Sequence, residues 1–93
     1  MALKTTPWDA AEILTSQAHI ASYLEAAFED GDTAVIRRAL SAVARARGMT
    51  ELAASTGIGR ETLYNALGEN GNPTLDTLLK IIKALGVKLS VAA

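Results

Sequence analysis

Residues 49–67, MTELAASTGIGRETLYNAL, decide the fold of this chain. Two short helices joined by a tight turn cross steeply, so their backbones come close together and need a small residue near the crossing. Ala53 supplies that residue, and Gly57, four positions later, tolerates the positive φ that the turn requires. Ile58 and Leu63 then fill the angle between the helices. The stretch therefore predicts a compact pair of helices.

The spacing of these residues is that of the helix-turn-helix pattern. Thr50 is predicted to cap a short helix from Glu51 to about Thr56, with Leu52 packed behind the turn. A second helix is predicted to start near Arg60 and to end at Gly68. An ordinary helical corner without a nucleic-acid role makes similar local demands, so the spacing alone leaves that alternative open.

Apolar residues recur at helical spacing in the rest of the chain, and three further helices are predicted from them. The three apolar stripes are Ile20, Leu24 and Phe28; Ile36, Leu40 and Val43; and Leu75, Leu78, Leu79, Ile82 and Leu85. Asp32 or Thr33 is expected to cap the second of these helices, and Thr74 the third. Residues 87–91 alternate apolar and polar, which predicts a short strand that pairs with its equivalent in a second copy.

Length and composition indicate one small all-α domain. The chain has 93 residues, of which 49% are hydrophobic and only 4% aromatic, so a core of small and aliphatic side chains is expected. There is no cysteine, which excludes disulfides and thiolate metal sites. No apolar run reaches membrane-spanning length, and the N-terminus lacks the apolar stretch of a signal peptide. We therefore expect a cytoplasmic protein without a membrane partner.

The net charge of −1 conceals a division between the two ends of the chain. Residues 1–36 carry one lysine against six carboxylates, a net charge of −5, whereas residues 37–93 carry eight basic and four acidic residues, a net charge of +4. This asymmetry favours two surfaces with different partners. Solvated helix faces that differ in sign without any functional meaning are the alternative.

A second motif follows the helix pair. Residues 71–87, GNPTLDTLLKIIKALGV, are similar to the "P-x-L-x-x-L-x-x-I-x-x-A-L-G-V" helix of the phage-repressor-like (Xre-type) helix-turn-helix family, and the likeness covers about residues 34–89. More narrowly, residues 24–32 and the segment ARARGMTELA at 44–53 resemble addiction-module antidote proteins of the HigA type. These are antitoxins that bind a small ribonuclease toxin and repress their own operon.

The resemblance implies an all-α, five-helix lambda-repressor-like helix-turn-helix fold, with the DNA-binding domain over residues 32–93. An acidic N-terminal helical segment, residues 1–31, precedes it, and a short C-terminal strand ends it. The second helix of the motif would enter the major groove of double-stranded DNA, with a homodimer reading two half-sites. No cofactor, metal or catalytic residue is implied.

The resemblance also implies which residues contact DNA. Arg60 would pair bidentately with guanine and Asn65 with adenine, while Glu61 would accept from cytosine N4 or else pair with Arg60. The predicted DNA-binding set is Arg45, Arg47, Thr50, Gly59, Arg60, Glu61, Thr62, Tyr64 and Asn65, in which Thr50, Thr62, Tyr64, Arg45 and Arg47 would hold phosphates. Two positions depart from the family pattern: Gly59 stands where Ser or Thr is usual, and Glu51 stands where Gln is common.

The acidic segment is the predicted surface for a small basic toxin of the ribonuclease type. Carboxylates cover a surface that must hold RNA phosphates, and apolar side chains anchor the contact. The predicted partner-binding set is Trp8, Glu12, Tyr23, Glu25, Phe28, Glu29, Asp30 and Asp32. A helix that merely completes the repressor core is the alternative, because Ile20, Leu24 and Phe28 must pack on something.

Three other functions compete with the antitoxin interpretation. An enzyme lacks support, because His19 is the single histidine and no nucleophile–base pair or phosphate-binding loop can be assembled. A protein-interaction module that lost DNA binding is favoured by Glu51 and opposed by Arg60 and Asn65. A stand-alone transcriptional repressor without a toxin has the same sequence features, so only the neighbouring gene distinguishes it.

Overall fold

The computed structural model describes residues 16–93, which form five α-helices. In chain order the helices are α1 (Gln17–Asp30), α2 (Thr33–Arg47), α3 (Met49–Thr56), α4 (Arg60–Leu67) and α5 (Leu75–Ala84). α1 packs on α2, and α3 packs on α2, α4 and α5, so α3 lies at the centre of the arrangement. The predicted all-α class with five helices is confirmed over this part of the chain.

Side-chain caps begin α2 and α5. The Asp32 carboxylate accepts a hydrogen bond from the Ala34 N–H at 2.8 Å, and the Thr74 hydroxyl accepts one from the Thr77 N–H at 3.2 Å. Each cap satisfies an amide that the first helical turn leaves without a partner. The cap by Thr74 was predicted. For α2 the sequence left Asp32 and Thr33 as alternatives, and the cap is Asp32.

A single core joins all five helices. Its buried residues are Ile20, Leu24, Ala27, Ala39, Leu40, Val43, Ala44, Met49, Leu52, Leu63, Leu67, Ile81, Ile82 and Leu85. All are aliphatic, alanine or methionine, as the composition predicted, and no polar or charged residue between 16 and 93 is buried. Because Ile20, Leu24 and Ala27 belong to this cluster, α1 is packed into the same core as the other four helices.

The face that α5 presents to the core differs in part from the one predicted. Ile81, Ile82 and Leu85 are buried, whereas 69% of Leu75 and 46% of Leu79 is exposed. The predicted stripe was therefore wrong at Leu75 and Leu79. Apolar residues cover so wide an arc of this helix that its sequence does not specify which part of the arc the neighbouring helices contact.

α5 ends in a Schellman motif, followed by an irregular tail. The Val87 N–H donates to the Ile82 carbonyl at 3.3 Å and the Gly86 N–H to the Lys83 carbonyl at 3.0 Å, with Gly86 at a φ of 79°. Residues 87–93 then form no regular element, so the predicted strand is not present in the single chain. A strand requires a neighbouring strand, and the regular elements of residues 16–93 are all helices. Pairing with a second copy stays a prediction.

Candidate functional site

The site is built on the α3–α4 pair. Leu52 of α3 and Leu63 of α4 are fully buried, and Ile58 in the connection packs against the same core. Gly57 has a φ of 73° and its N–H donates to the Ala53 carbonyl at 3.0 Å, which ends α3. A residue with a Cβ atom is strained at this φ, whereas glycine tolerates it, as predicted for the turn. The predicted packing of the pair is thus present.

Thr56 fixes the connection, and the sequence analysis did not identify it. Its hydroxyl donates to the Leu52 carbonyl at 2.8 Å and accepts from the Ile58 N–H at 3.1 Å. One side chain therefore serves both the end of α3 and the chain that leads into α4. A threonine directly before the turn glycine was the available signal, because Ser and Thr hydroxyls bond to nearby backbone groups in turns.

α4 carries five of the predicted DNA-binding side chains on its outer surface. Arg60, Glu61, Thr62, Tyr64 and Asn65 are all exposed, while Leu63 and Leu67 face inward. The Arg60 guanidinium carbon lies 5.6 Å from the centroid of the Tyr64 ring. Arg60 thus lies over an aromatic neighbour one turn away. It forms no ion pair with Glu61, and within the described residues the ion pair joins Lys80 to Asp76.

Both helices of the pair start after a glycine. Gly48 precedes α3 and Gly59 precedes α4, and neither helix receives a side-chain cap. Thr50 was predicted to cap a helix that starts at Glu51, but α3 begins two residues earlier, at Met49, and Thr50 lies exposed within its first turn. The physical reason is that Gly48, at a φ of 106°, ends α2 and begins α3 without an intervening turn. The first amides of both helices remain available to an external acceptor.

The two arginines predicted to hold phosphates differ in their surroundings. Arg45 is exposed, whereas Arg47 is half-buried and donates a hydrogen bond to the Leu85 carbonyl at 3.3 Å. Arg47 thus ties the end of α2 to the end of α5, where a cation also interacts favourably with the helix dipole. Of the two, Arg45 has the guanidinium that is free to contact a ligand.

A basic groove that the sequence analysis missed lies between α2 and the end of α4. Arg37, Arg38 and Arg45 line it together with Glu69. Arg37 also donates to the Gly71 carbonyl at 3.4 Å and so holds the loop after α4 against α2. The helical spacing of the three arginines, at i, i+1 and i+8, was the signal that could have placed them on one side of α2.

The acidic side chains of α1 surround two separate grooves. Tyr23 and Asp30 line one groove, between α1 and α2, whose floor is formed by alanines and Val35. Glu25 and Phe28 line another, between α1 and the chain after α5. Glu29 and Asp32 are exposed, and Trp8 and Glu12 lie outside the described residues. Within residues 16–93, Tyr23 and Asp30 therefore line a different groove from Glu25 and Phe28.

Residues 16–93 contain no group of three or more metal-ligating side chains. In the described structure no helix combines the length and apolarity needed to span a membrane.

Comparisons with known proteins identify the family. The model of the family described as "Probable addiction module antidote protein" matches residues 4–93. A curated protein of Haemophilus influenzae (strain ATCC 51907 / DSM 11121 / KW20 / Rd), described as an uncharacterized protein, is 43% identical over 84 residues, covering 90% of this chain and 87% of that protein. No solved structure matches the chain. Since the family model spans nearly all of the sequence, the chain belongs to the family of probable addiction module antidote proteins.

Proposed function

We propose that this protein is a HigA-type antitoxin that binds its own operator through a helix-turn-helix formed by α3 and α4. In this proposal it represses the operon that encodes it and neutralises a ribonuclease toxin. The family supports a toxin partner in general. DNA binding rests on the α3–α4 pair described above, and the HigA assignment rests on the resemblance of residues 24–32 and 44–53.

The observation that carries the proposal is the outer surface of α4. Its first turn combines Arg60, the donor best suited to guanine, with an uncapped helix start, and Asn65 follows on the exposed side. Buried Leu52 and Leu63 hold α4 rigidly on α3, so the side chains are presented from a fixed element. Base readout requires this arrangement of exposed polar groups on a supported helix.

A homodimer is the second part of the proposal. Leu75 and Leu79 are exposed one turn apart on α5, and Leu89 and Val91 are exposed in the tail that follows. The exposed apolar surface of Leu75 and Leu79 favours contact with another protein surface over contact with water. A two-fold dimer through this surface would place two α4 helices on half-sites about 34 Å apart.

A toxin contact through α1 is the third part. Glu25, Glu29, Asp30 and Asp32 are exposed and no cation of residues 16–93 forms an ion pair with them. A ribonuclease toxin presents basic surfaces to RNA, so this end of the molecule attracts it at long range. α1 and α4 share no substantial contact, and in this proposal the toxin and the operator are held at the same time.

Footprinting on the promoter of its own operon, at low salt, is the direct test of DNA binding. Protection of two half-sites one helical turn apart is expected, and Arg60→Ala should lose the base preference while remaining folded. The absence of any footprint at low salt would leave an interaction module that lost DNA binding, which Glu51 in the first turn of α3 favours, since a carboxylate there repels phosphate.

The neighbouring gene separates an antitoxin from a stand-alone repressor. Co-purification of the full-length chain with a small basic product of the adjacent reading frame, and rescue of growth when both are expressed, are the expected results. An operator-binding protein whose neighbouring gene products neither bind it nor arrest growth is a stand-alone repressor.

A further inference from the structure

The guanidinium group of Arg60 contacts the aromatic ring of Tyr64 on the surface of α4. The guanidinium carbon lies 5.6 Å from the ring centroid, within the range of a cation–π interaction. Arg60 is the first residue of α4 and Tyr64 follows four residues later, so both lie on one side of the helix. Tyr64 is 41% exposed and does not belong to the buried core.

Stacking occupies one face of a guanidinium and leaves its edges free. The N–H donors of arginine point outward in the guanidinium plane, and the bidentate contact with guanine uses two of them. A ring beneath the plane therefore restricts the direction of the side chain without competing for those donors. Ordering the side chain before binding reduces the conformational entropy that binding must otherwise remove.

We propose that Tyr64 is a positioning residue that aims Arg60 at the base edge through the face of its ring. This role differs from the phosphate contact that the tyrosine hydroxyl would make. The inference rests on the proposed DNA-binding function, and it concerns base preference rather than general affinity.

Two substitutions separate the ring from the hydroxyl. Tyr64→Phe keeps the aromatic face and removes the hydroxyl, whereas Tyr64→Leu removes the face and keeps an apolar helix-forming side chain. The measured quantity is the ratio of affinities for the operator and for an operator altered at the base pair where Arg60→Ala loses its preference. Tyr64→Leu is expected to lower this ratio about two- to fivefold, the range for an exposed cation–π contact, and Tyr64→Phe to retain it.

A double-mutant cycle tests whether Tyr64 acts through Arg60. In the Arg60→Ala background, Tyr64→Leu should produce no further change in the ratio. A further loss in that background would mean that Tyr64 reads the base directly and would overturn the proposal. Loss of base preference in Tyr64→Phe would assign the effect to the hydroxyl and not to the ring, and would overturn the proposal as well.

The free protein provides a readout that does not depend on DNA. Ring currents shift the side-chain proton resonances of an arginine held over an aromatic face. Tyr64→Leu should move the Arg60 resonances towards random-coil values, with Tyr64→Phe close to wild type. Unchanged resonances in Tyr64→Leu would overturn the stacking contact itself. If the wild-type chain binds no duplex, the proposed function fails; if it binds and Tyr64→Phe loses base preference, only this inference fails.

Discussion

Arg60 and Arg45 are predicted to make different contributions to DNA binding. Both are exposed, but Arg60 starts α4, whereas Arg45 lies near the end of α2. Arg60→Ala should cost about 1–3 kcal/mol and relax base preference at one position of each half-site, because it removes a bidentate base contact. Titrations against operators altered one base pair at a time would measure this.

The matched variant is Arg45→Ala. Loss of a phosphate contact should weaken binding to all sequences alike and reduce the salt slope by about one unit. Arg47→Ala is expected to lower the thermal midpoint in addition, since Arg47 donates to the Leu85 carbonyl. If Arg60→Ala weakened binding to every operator variant equally, Arg60, too, would contact only the phosphate backbone of the DNA.

Thr56 is predicted to stabilise the turn between α3 and α4. Thr56→Val keeps the shape of the side chain but removes the acceptor of the half-buried Ile58 N–H, so the variant should lose about 1–2 kcal/mol of unfolding free energy. Chemical denaturation measures the loss. Thr33→Val, at an exposed position of α2, is the control and should stay within about 0.5 kcal/mol of wild type. An equally stable Thr56→Val would contradict this role.

At the scale of the elements, α1 serves both the core and the proposed toxin contact. Ile20, Leu24 and Ala27 are buried, so removing the helix would expose the core and would not isolate its acidic surface. Substitution of exposed charges is the cleaner test. The double variant Glu29→Gln, Asp30→Asn should associate with the toxin more slowly than the wild-type chain. Its association rate should also depend less on salt, because two negative charges that attract the toxin at long range are lost.

Stopped-flow mixing with the product of the neighbouring gene measures these rates. Glu69→Gln together with Asp76→Asn makes the same change in net charge away from α1 and should have a smaller effect. Association of the wild-type chain that does not change with salt would show that the contact is apolar and that the charge division is incidental.

For the whole molecule, the exposed leucines of α5 predict a dimer interface. Leu75→Glu together with Leu79→Glu should leave the fold intact, because neither side chain belongs to the core, and should convert the dimer to monomer. Sedimentation at tens of micromolar checks this, with Lys83→Glu as a charge control on the exposed side of α5. Wild-type protein that sediments only as monomer at that concentration would contradict the prediction.

The sequence by itself determined the five helices and several of their ends. Gly31, Gly57 and Gly86 adopt positive φ at helix ends, and Asp32 and Thr74 cap the helices that follow them. These features depend on a residue and its immediate neighbours, so they can be predicted without knowledge of the fold. The same holds for the exposed positions of α4, because Leu63 and Leu67 fix which side of that short helix faces inward.

Only the tertiary structure decided which apolar surfaces stay exposed and which long side chains contact each other. The exposed position of Leu75 and Leu79, the bond from Arg47 to Leu85 and the stacking of Arg60 on Tyr64 follow from how helices and side chains meet. A wide apolar arc offers several faces of similar hydrophobicity, and a long side chain has many rotamers. Packing selects one face and one rotamer because it depends on the shape of neighbours that are distant in the sequence.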